Sequence, residues 1–112
     1  MSTFRASVSA GESGPVITLS GEVDLSTIAE LSDLITAQLA AGTVNLTIDA
    51  SGMSFADSAS MRVLMLAAMT LRKRGGGLVL LRPQPALVRL LDIMDADQLI
   101  TVQGLSTPKD LS

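Results

Sequence analysis

The chain has 112 residues, a hydrophobic fraction of 47% and a net charge of −3, which is the size and composition of one small domain. It contains no cysteine and no histidine, which excludes disulfides, thiolate chemistry, Cys/His zinc sites and serine–histidine–aspartate catalysis. The acidic balance argues against nucleic-acid binding, which needs a basic surface.

The chain also lacks the sequence patterns of membrane insertion and export. No apolar run approaches the roughly 18 residues that a membrane-spanning helix requires. Residues 1–9 lack the charged region and the apolar stretch of a signal peptide. The sequence therefore predicts a cytoplasmic protein without direct membrane insertion.

The first residues predict a β-hairpin. Phe4, Ala6 and Val8 alternate with polar residues, which indicates a half-buried strand with these three side chains inward. Residues 11–15 are rich in glycine and proline and predict a turn. The β-branched run over 16–19 then predicts the second strand.

Residues 25–41 predict the first helix. Apolar residues recur at helical spacing from Leu25 onward. Asp24 or Ser26 is placed to cap the beginning of this helix, and Gly42 stands where a C-terminal glycine belongs.

The middle of the chain predicts a strand, a polar loop and a second helix. Residues 44–50 (VNLTIDA) alternate between apolar and polar side chains as a third strand, and a small polar loop follows up to Asp57. Helical spacing then continues over about 58–74. The basic residues 72–74 predict a solvated helix end, where positive charge suits the helix dipole.

The rest of the chain completes an α/β pattern. Residues 78–81 form a continuous apolar run, which predicts a strand buried on both faces. A rigid turn at 82–85 precedes a third helix, residues 99–102 predict the last strand, and 104–112 form a polar tail. The predicted order is β-β-α-β-α-β-α-β in a single domain, a mostly parallel sheet with an antiparallel edge and helices packed on it.

The junction between the third strand and the second helix is the candidate functional site. Ser58 lies at a predicted helix N-terminus, just beyond the C-terminal end of a strand, where function tends to be found in open α/β sheets. Unpaired N–H groups and the helix dipole favour negative charge there, so the position is suited to carry a phosphate. The alternative is that Asp57 and Ser58 only cap the helix.

Three segments of the chain resemble the STAS domain family, the module of anti-sigma factor antagonists and of sulfate-transporter tails. They are LSGEVDLSTIAELSDLI, IDASGMSFADSASMRVL and GGLVLLRPQPALVRLLDIMDADQLITV. In the family, the middle segment carries an Asp-Ser pair whose serine is phosphorylated by a partner anti-sigma kinase. The matching residues here are Asp57 and Ser58.

The resemblance implies a binding module that is not an enzyme and has no cofactor of its own. It implies docking on an anti-sigma factor/serine kinase, release of the sigma factor, and loss of docking when Ser58 is phosphorylated. The kinase partner would supply ATP and magnesium, and the protein would be a monomer or a weak dimer. The residues expected to contact the partner are Asp24, Ser26, Met53, Ser54, Phe55, Asp57, Ser58, Ala59, Ser60, Arg82 and Gln84.

Two residues depart from the family pattern. Ala59 stands where the family usually has serine or threonine, and Ser60 stands where it usually has glycine. Since glycine often marks a close backbone approach, we expect the Ser60 side chain to crowd an approaching kinase. Met53 and Phe55 are expected to offer an apolar contact to the partner, with core packing as the alternative.

Other interpretations are open at this point. The sequence also resembles the small STAS subunit of lipid-transport ABC systems and the STAS proteins of stress-signalling assemblies, which are scaffolds without phosphorylation. A small enzyme or nucleotide binder is the weakest hypothesis, because histidine, cysteine, tyrosine and a phosphate loop are all absent from the sequence. Asp49 and Asp57 suggest paired carboxylates or a metal site, but no third ligand is evident.

Overall fold

The computed structural model of the protein describes residues 4–104. The predicted polar tail lies outside the described residues, apart from Gly104. The described chain forms one five-stranded sheet with helices packed against it, which confirms the predicted α/β class.

The five strands stand in the sheet in chain order. They are β1 (Arg5–Ala10), β2 (Pro15–Val23), β3 (Asn45–Ala56), β4 (Gly77–Leu81) and β5 (Ile100–Gln103). β1 is antiparallel to β2, and the other neighbouring pairs are parallel. The connecting helices are α1 (Ile28–Ala40), α2 (Ser58–Lys73) and α3 (Pro85–Ile93), followed by a short 3₁₀ turn at Ala96–Gln98.

The core lies between the helices and one face of the sheet. Crossovers between parallel strands are right-handed, so strands in chain order carry α1, α2 and α3 on the same face. Ile17, Ile48 and Leu80 form one register row on this face and have no solvent exposure. Burial of each such side chain stabilises the fold by about 1.5–3 kcal/mol.

The opposite face of the sheet is partly open to solvent. Thr18, Asp49 and Leu81 form a register row there, and none of the three is fully buried. The prediction that the 78–81 strand is buried on both faces is therefore wrong. In β4, Leu78 and Leu80 are buried, whereas its alternate residues are half-buried because no helix covers them.

β3 is longer than predicted. The segment 51–56, predicted as part of a polar loop, continues as strand because β2 also extends to Val23 and pairs with it. Two register shifts between β2 and β3, each with one extra residue in β3, accommodate this second half, and the last pair is Val23 with Ala56. Polar residues are tolerated in this strand because one side faces solvent.

α1 begins later than its apolar spacing predicts. Leu25 is 78% exposed, and residues 24–27 form a turn in which the Thr27 and Ile28 N–H groups donate to the Asp24 carbonyl oxygen. Neither Asp24 nor Ser26 is the N-cap, which is Thr27 without a side-chain cap bond. Those two cap predictions are therefore wrong.

The C-terminal ends of α1 and α2 lie close together and are joined by hydrogen bonds. Gly42 has a φ of 89°, which suits the predicted glycine after α1. The Arg74 guanidinium donates from Nη1 to the carbonyl oxygens of Leu39, at 2.8 Å, and Thr43, at 3.1 Å. Arg74 therefore joins the end of α2 to the end of α1, whereas the sequence predicted a solvated cation.

β1 is one edge of the sheet. Ala6 is partly buried against the core, as predicted, but Val8 is 42% exposed. The Val8 side chain does point to the helix-covered face, since Val8 pairs with the buried Ile17. It remains accessible because it lies at the margin of the sheet, and the prediction of an inward Val8 is wrong in this respect.

Candidate functional site

Ser58 is the first residue of α2, and one residue, Asp57, separates it from the end of β3. Asp57 is the N-cap, with an extended backbone, and its Oδ1 accepts the Ser60 N–H at 2.8 Å. The Ser58 side chain is exposed, and within residues 4–104 its hydroxyl has no hydrogen-bond partner. The Asp57 carboxylate therefore serves the helix end and does not bind the Ser58 hydroxyl.

Ser60 points into the protein. Its side chain is 1% exposed, and its hydroxyl oxygen lies 2.7 Å from Asp57 Oδ1 and 3.0 Å from the Val23 carbonyl oxygen. The single hydroxyl hydrogen is shared between these two acceptors. The expectation that Ser60 crowds a kinase or contacts a partner is wrong, because this side chain is packed between the first turn of α2 and the end of β2.

Asp24 lies at the same end of the sheet as Asp57. Val23 and Ala56 are a register pair on neighbouring parallel strands, so Asp24 and Asp57 leave the sheet side by side. Hydrogen bonds from the Ser26 hydroxyl, at 2.6 Å, and the Ser26 N–H, at 2.9 Å, lower the pKa of the Asp24 carboxyl group. Asp24 is therefore ionised at neutral pH, and the surface around Ser58 is acidic.

Of Met53 and Phe55, the two apolar residues predicted for partner contact, only Met53 has a side chain within the described part of the structure. Met53 is 4% exposed and belongs to the core, so the expectation of an exposed contact there is wrong. Its burial follows from the register shift between Thr18 and Ser20, which pairs Met53 with Gly21 and so turns it to the same face as the buried Leu19 and Val23. Phe55 pairs through its backbone with Glu22, and its side chain lies outside the described part of the structure.

Gln84 lies close to the end of β3. Together with Met53, Ser54, Ala86 and Leu87 it lines a cavity of about 20 Å³. That volume accommodates about one water molecule. The cavity places Gln84 and the exposed Ser54 on one continuous surface, and it offers no room for a small-molecule substrate.

Arg82 forms an ion pair with Asp49, far from Ser58 on the sheet. Its Nη2 lies 2.9 Å from Asp49 Oδ2, and Gln84 Nε2 donates to the Ser51 carbonyl oxygen at 3.1 Å. Asp49 pairs with Leu81 in the sheet, seven residues before the end of β3. At about 3.3 Å per residue, Arg82 is roughly 20 Å from Ser58 along the strand, so it does not join the Ser58 cluster.

Against the effect of burial, Ser51 and Arg82 together lower the pKa of the Asp49 carboxyl group. Burial raises the pKa of the Asp49 carboxyl group, but the Ser51 N–H and hydroxyl and the Arg82 charge together outweigh it, and the net pKa is lowered. Both oxygens of this carboxylate are therefore engaged. In the described residues, no group of three acidic, histidine or cysteine side chains is arranged to hold a metal ion.

The sequence missed the bond between Ser60 and Val23. Asp57 and Ser60 have the spacing of a helix cap, in which the cap side chain bonds the N–H three residues later. That spacing indicates a local contact, but the second acceptor lies 37 residues away in the chain.

Among the helices of residues 4–104, none combines the length and the hydropathy that a membrane-spanning segment requires.

Comparison with known proteins places the fold. The family model described as "Mlab, STAS domain" matches residues 6–102. No curated protein matches the chain. Among solved structures, an anti-sigma factor antagonist from Mycobacterium paratuberculosis is 25% identical with a TM-score of 0.81, and the match covers 96% of this chain and 90% of that one.

Two further structures share the fold at lower identity. SpoIIAA in its unphosphorylated form is 18% identical, with a TM-score of 0.74 and coverage of 89% of this chain and 87% of that one. The Bacillus cell fate determinant SpoIIAA in its phosphorylated form is 19% identical, with a TM-score of 0.70 and coverage of 89% and 90%. Because the family model spans nearly all of the described residues, this chain belongs to the STAS domain family.

Proposed function

We propose that this protein is an anti-sigma factor antagonist whose docking on an anti-sigma factor is switched off by phosphorylation of Ser58. The observation that carries the proposal is the exposed Ser58 hydroxyl, which has no partner in residues 4–104 and stands at the first position of α2. A structural relative at 25% identity is described as an anti-sigma factor antagonist. SpoIIAA, of the same fold, has been solved in both phosphorylated and unphosphorylated forms.

The fold tolerates a phosphate at this position. The free N–H groups and dipole of α2 favour negative charge at its N-terminus. The Ser58 side chain is exposed, so the phosphate displaces no packed group. Phosphorylation therefore changes the surface and leaves the fold intact.

The acidic surroundings explain why the same phosphate weakens docking. It adds a charge of about −1.5 to −2 at neutral pH. Asp24 and Asp57 already bring carboxylates to this end of the sheet, and Asp24 is ionised. Desolvating a phosphate among like charges in an interface is costly, so the complex dissociates.

The partner that fits this scheme is an anti-sigma factor with serine kinase activity. It supplies ATP and magnesium, and this protein is its substrate. The contact surface consists of the half-buried Asp24 and four exposed residues at the ends of β2 and β3 and the beginning of α3: Ser26, Ser54, Ser58 and Gln84.

A second candidate is a scaffold subunit of a lipid-transport ABC system or of a stress-signalling assembly, without phosphorylation. The observation that favours it is the matching family model, whose description names Mlab and no anti-sigma factor. Ala59, at a position where the antagonists usually have serine or threonine, agrees with it.

Intact-mass measurement after incubation with ATP, magnesium and candidate kinases from the same genome separates the two candidates. The proposal predicts one added phosphate on the wild-type chain and on Ser13→Ala, a control variant at an exposed serine outside this contact surface. It predicts none on Ser58→Ala. An unmodified wild-type chain with every candidate kinase would favour the scaffold.

A further inference from the structure

β1 is an edge strand with an accessible outer side. It occupies the first position in the sheet, and within residues 4–104 only β2 pairs with it. An edge strand presents unpaired N–H and C=O groups, which form a template for another strand. β1 pairs over all six residues without a bulge, contains no proline or lysine, and carries a single charge at Arg5. It therefore lacks the devices that usually block edge pairing.

Side chains along β1 are segregated between the two faces of the sheet. Val8 pairs with the buried Ile17 on the helix-covered face, yet Val8 is 42% exposed. Ser7 and Ser9 lie on the opposite, open face. A strand added to the outer edge would cover Val8, since side chains of directly opposed residues contact each other.

We propose that the outer edge of β1 binds the same edge of a second copy of this chain, in antiparallel orientation, with Val8 opposite Val8 of the second copy. This register puts Ala6 opposite Ala10 and Ser7 opposite Ser9, so that apolar residues meet apolar residues on the helix-covered face. A shift by one residue would oppose Val8 to a serine and place the helices of the two copies on opposite sides of the joint sheet.

The charges at the hairpin turn support this register over the one centred on Ser7. With Val8 at the centre, Arg5 opposes Gly11 of the second copy, and Glu12 is the next residue. Arg5 and Glu12 are both exposed and form no ion pair in the described structure. The two-fold arrangement therefore brings each Arg5 close to Glu12 of the other copy, whereas a register centred on Ser7 would oppose Arg5 to Ser9 and separate the two charges.

The association is expected to be weak and dependent on concentration. Pairing of two short strands buries less than the roughly 1,200 Å² of a standard protein interface. It leaves the proposed Ser58 surface free, because β2 separates β1 from β3 and Ser58 follows β3. The other edge, β5, has four residues and offers a shorter template.

Cysteine crosslinking tests the register directly, since the chain has no cysteine of its own. Directly opposed residues in antiparallel strands have Cα atoms about 4.5–5.5 Å apart, within the range for a disulfide. Val8→Cys should form a disulfide-linked dimer rapidly under mild oxidation. Ser7→Cys should do so only when mixed with Ser9→Cys. A Val8→Cys variant that crosslinks no faster than Leu25→Cys, at an unrelated exposed position, would overturn the proposal.

Charge reversal supplies an independent measurement by sedimentation equilibrium. Arg5→Glu and Glu12→Arg should each weaken self-association about fivefold, and the double variant should restore it. Monomers at every concentration, or a double variant as weak as the single ones, would contradict the proposal. If the protein is monomeric and its Val8→Lys variant no longer binds an anti-sigma factor, the edge of β1 binds a strand of another protein. That result would also overturn the proposal.

Discussion

The Ser60 hydroxyl oxygen lies 3.0 Å from the Val23 carbonyl oxygen, so one side chain joins the first turn of α2 to the last residue of β2. The same hydroxyl contacts the Asp57 carboxylate, which caps α2. Because Val23 pairs with Ala56, the contact fixes the two strand ends from which Asp24 and Asp57 emerge. Ser58 therefore begins a helix whose first turn is hydrogen-bonded to the end of β2.

Replacing Ser60 should destabilise the protein although Ser60 is absent from its surface. Ser60→Ala removes a buried hydrogen bond, and we expect the free energy of unfolding to fall by about 1–2 kcal/mol. Ser60→Gly, which restores the usual family residue, should cost a further 0.5–1 kcal/mol or so because glycine disfavours helices. Urea unfolding measures both. Ser58→Ala is the control, and an equal loss in that variant would contradict the assignment.

Asp57 should act mainly through its cap. Asp57→Ala leaves the Ser60 N–H without its acceptor, and we expect a loss of about 0.5–2 kcal/mol. Asp57→Asn should keep most of this stability, since asparagine is an equally good N-cap. Thermal unfolding of the two variants provides the comparison. If both lose the same stability, the negative charge matters and the cap does not.

Asp49 should contribute to acid sensitivity. Its folded-state pKa lies below the ordinary 3.8, so its stabilisation is present above that pH and is lost as the pH falls through the folded-state pKa. Asp49→Asn and Arg82→Gln should both make the free energy of unfolding fall less steeply between about pH 4 and pH 2. The control is Arg89→Gln, at an exposed arginine on α3. A wild-type slope in Arg82→Gln would show that the ion pair does not hold this carboxylate.

Arg74 should stabilise the contact between the ends of α1 and α2. Arg74→Gln removes two hydrogen bonds to carbonyl oxygens, and we expect a loss of about 1 kcal/mol at this exposed site. Lys73→Gln is the matched control one residue earlier, where the predicted effect is close to zero. Chemical unfolding measures both variants. If Arg74→Gln and Lys73→Gln lose the same free energy of unfolding, Arg74 is a solvated cation at the helix end, as its sequence suggests.

Local sequence patterns predicted the order of strands and helices, because spacing of apolar residues reports directly on which side of an element is buried. The same patterns failed where a distant segment decides the structure. Residues 51–56 were predicted as a polar loop, but they form strand because β2 pairs with them. Leu25 has helical spacing, yet the Asp24 turn keeps it outside α1.

The candidate site shows the same division. Asp24 and Asp57 were expected in one partner surface only through the resemblance to the STAS family, and the pairing of Val23 with Ala56 puts both at the same end of the sheet. The inward direction of Ser60 depends on Val23, 37 residues away, and the position of Arg82 depends on Asp49. These partners cannot be identified from spacing within one segment.

The most direct test of the account is the affinity of the protein for the anti-sigma factor proposed as its partner, measured by calorimetry with the unphosphorylated and the Ser58-phosphorylated chain. The account predicts that phosphate at Ser58 weakens binding by at least about tenfold, equivalent to roughly 1.4 kcal/mol, while the unfolding midpoint stays nearly unchanged. Equal affinity of the two forms would contradict the switch and leave the protein as a constitutive scaffold.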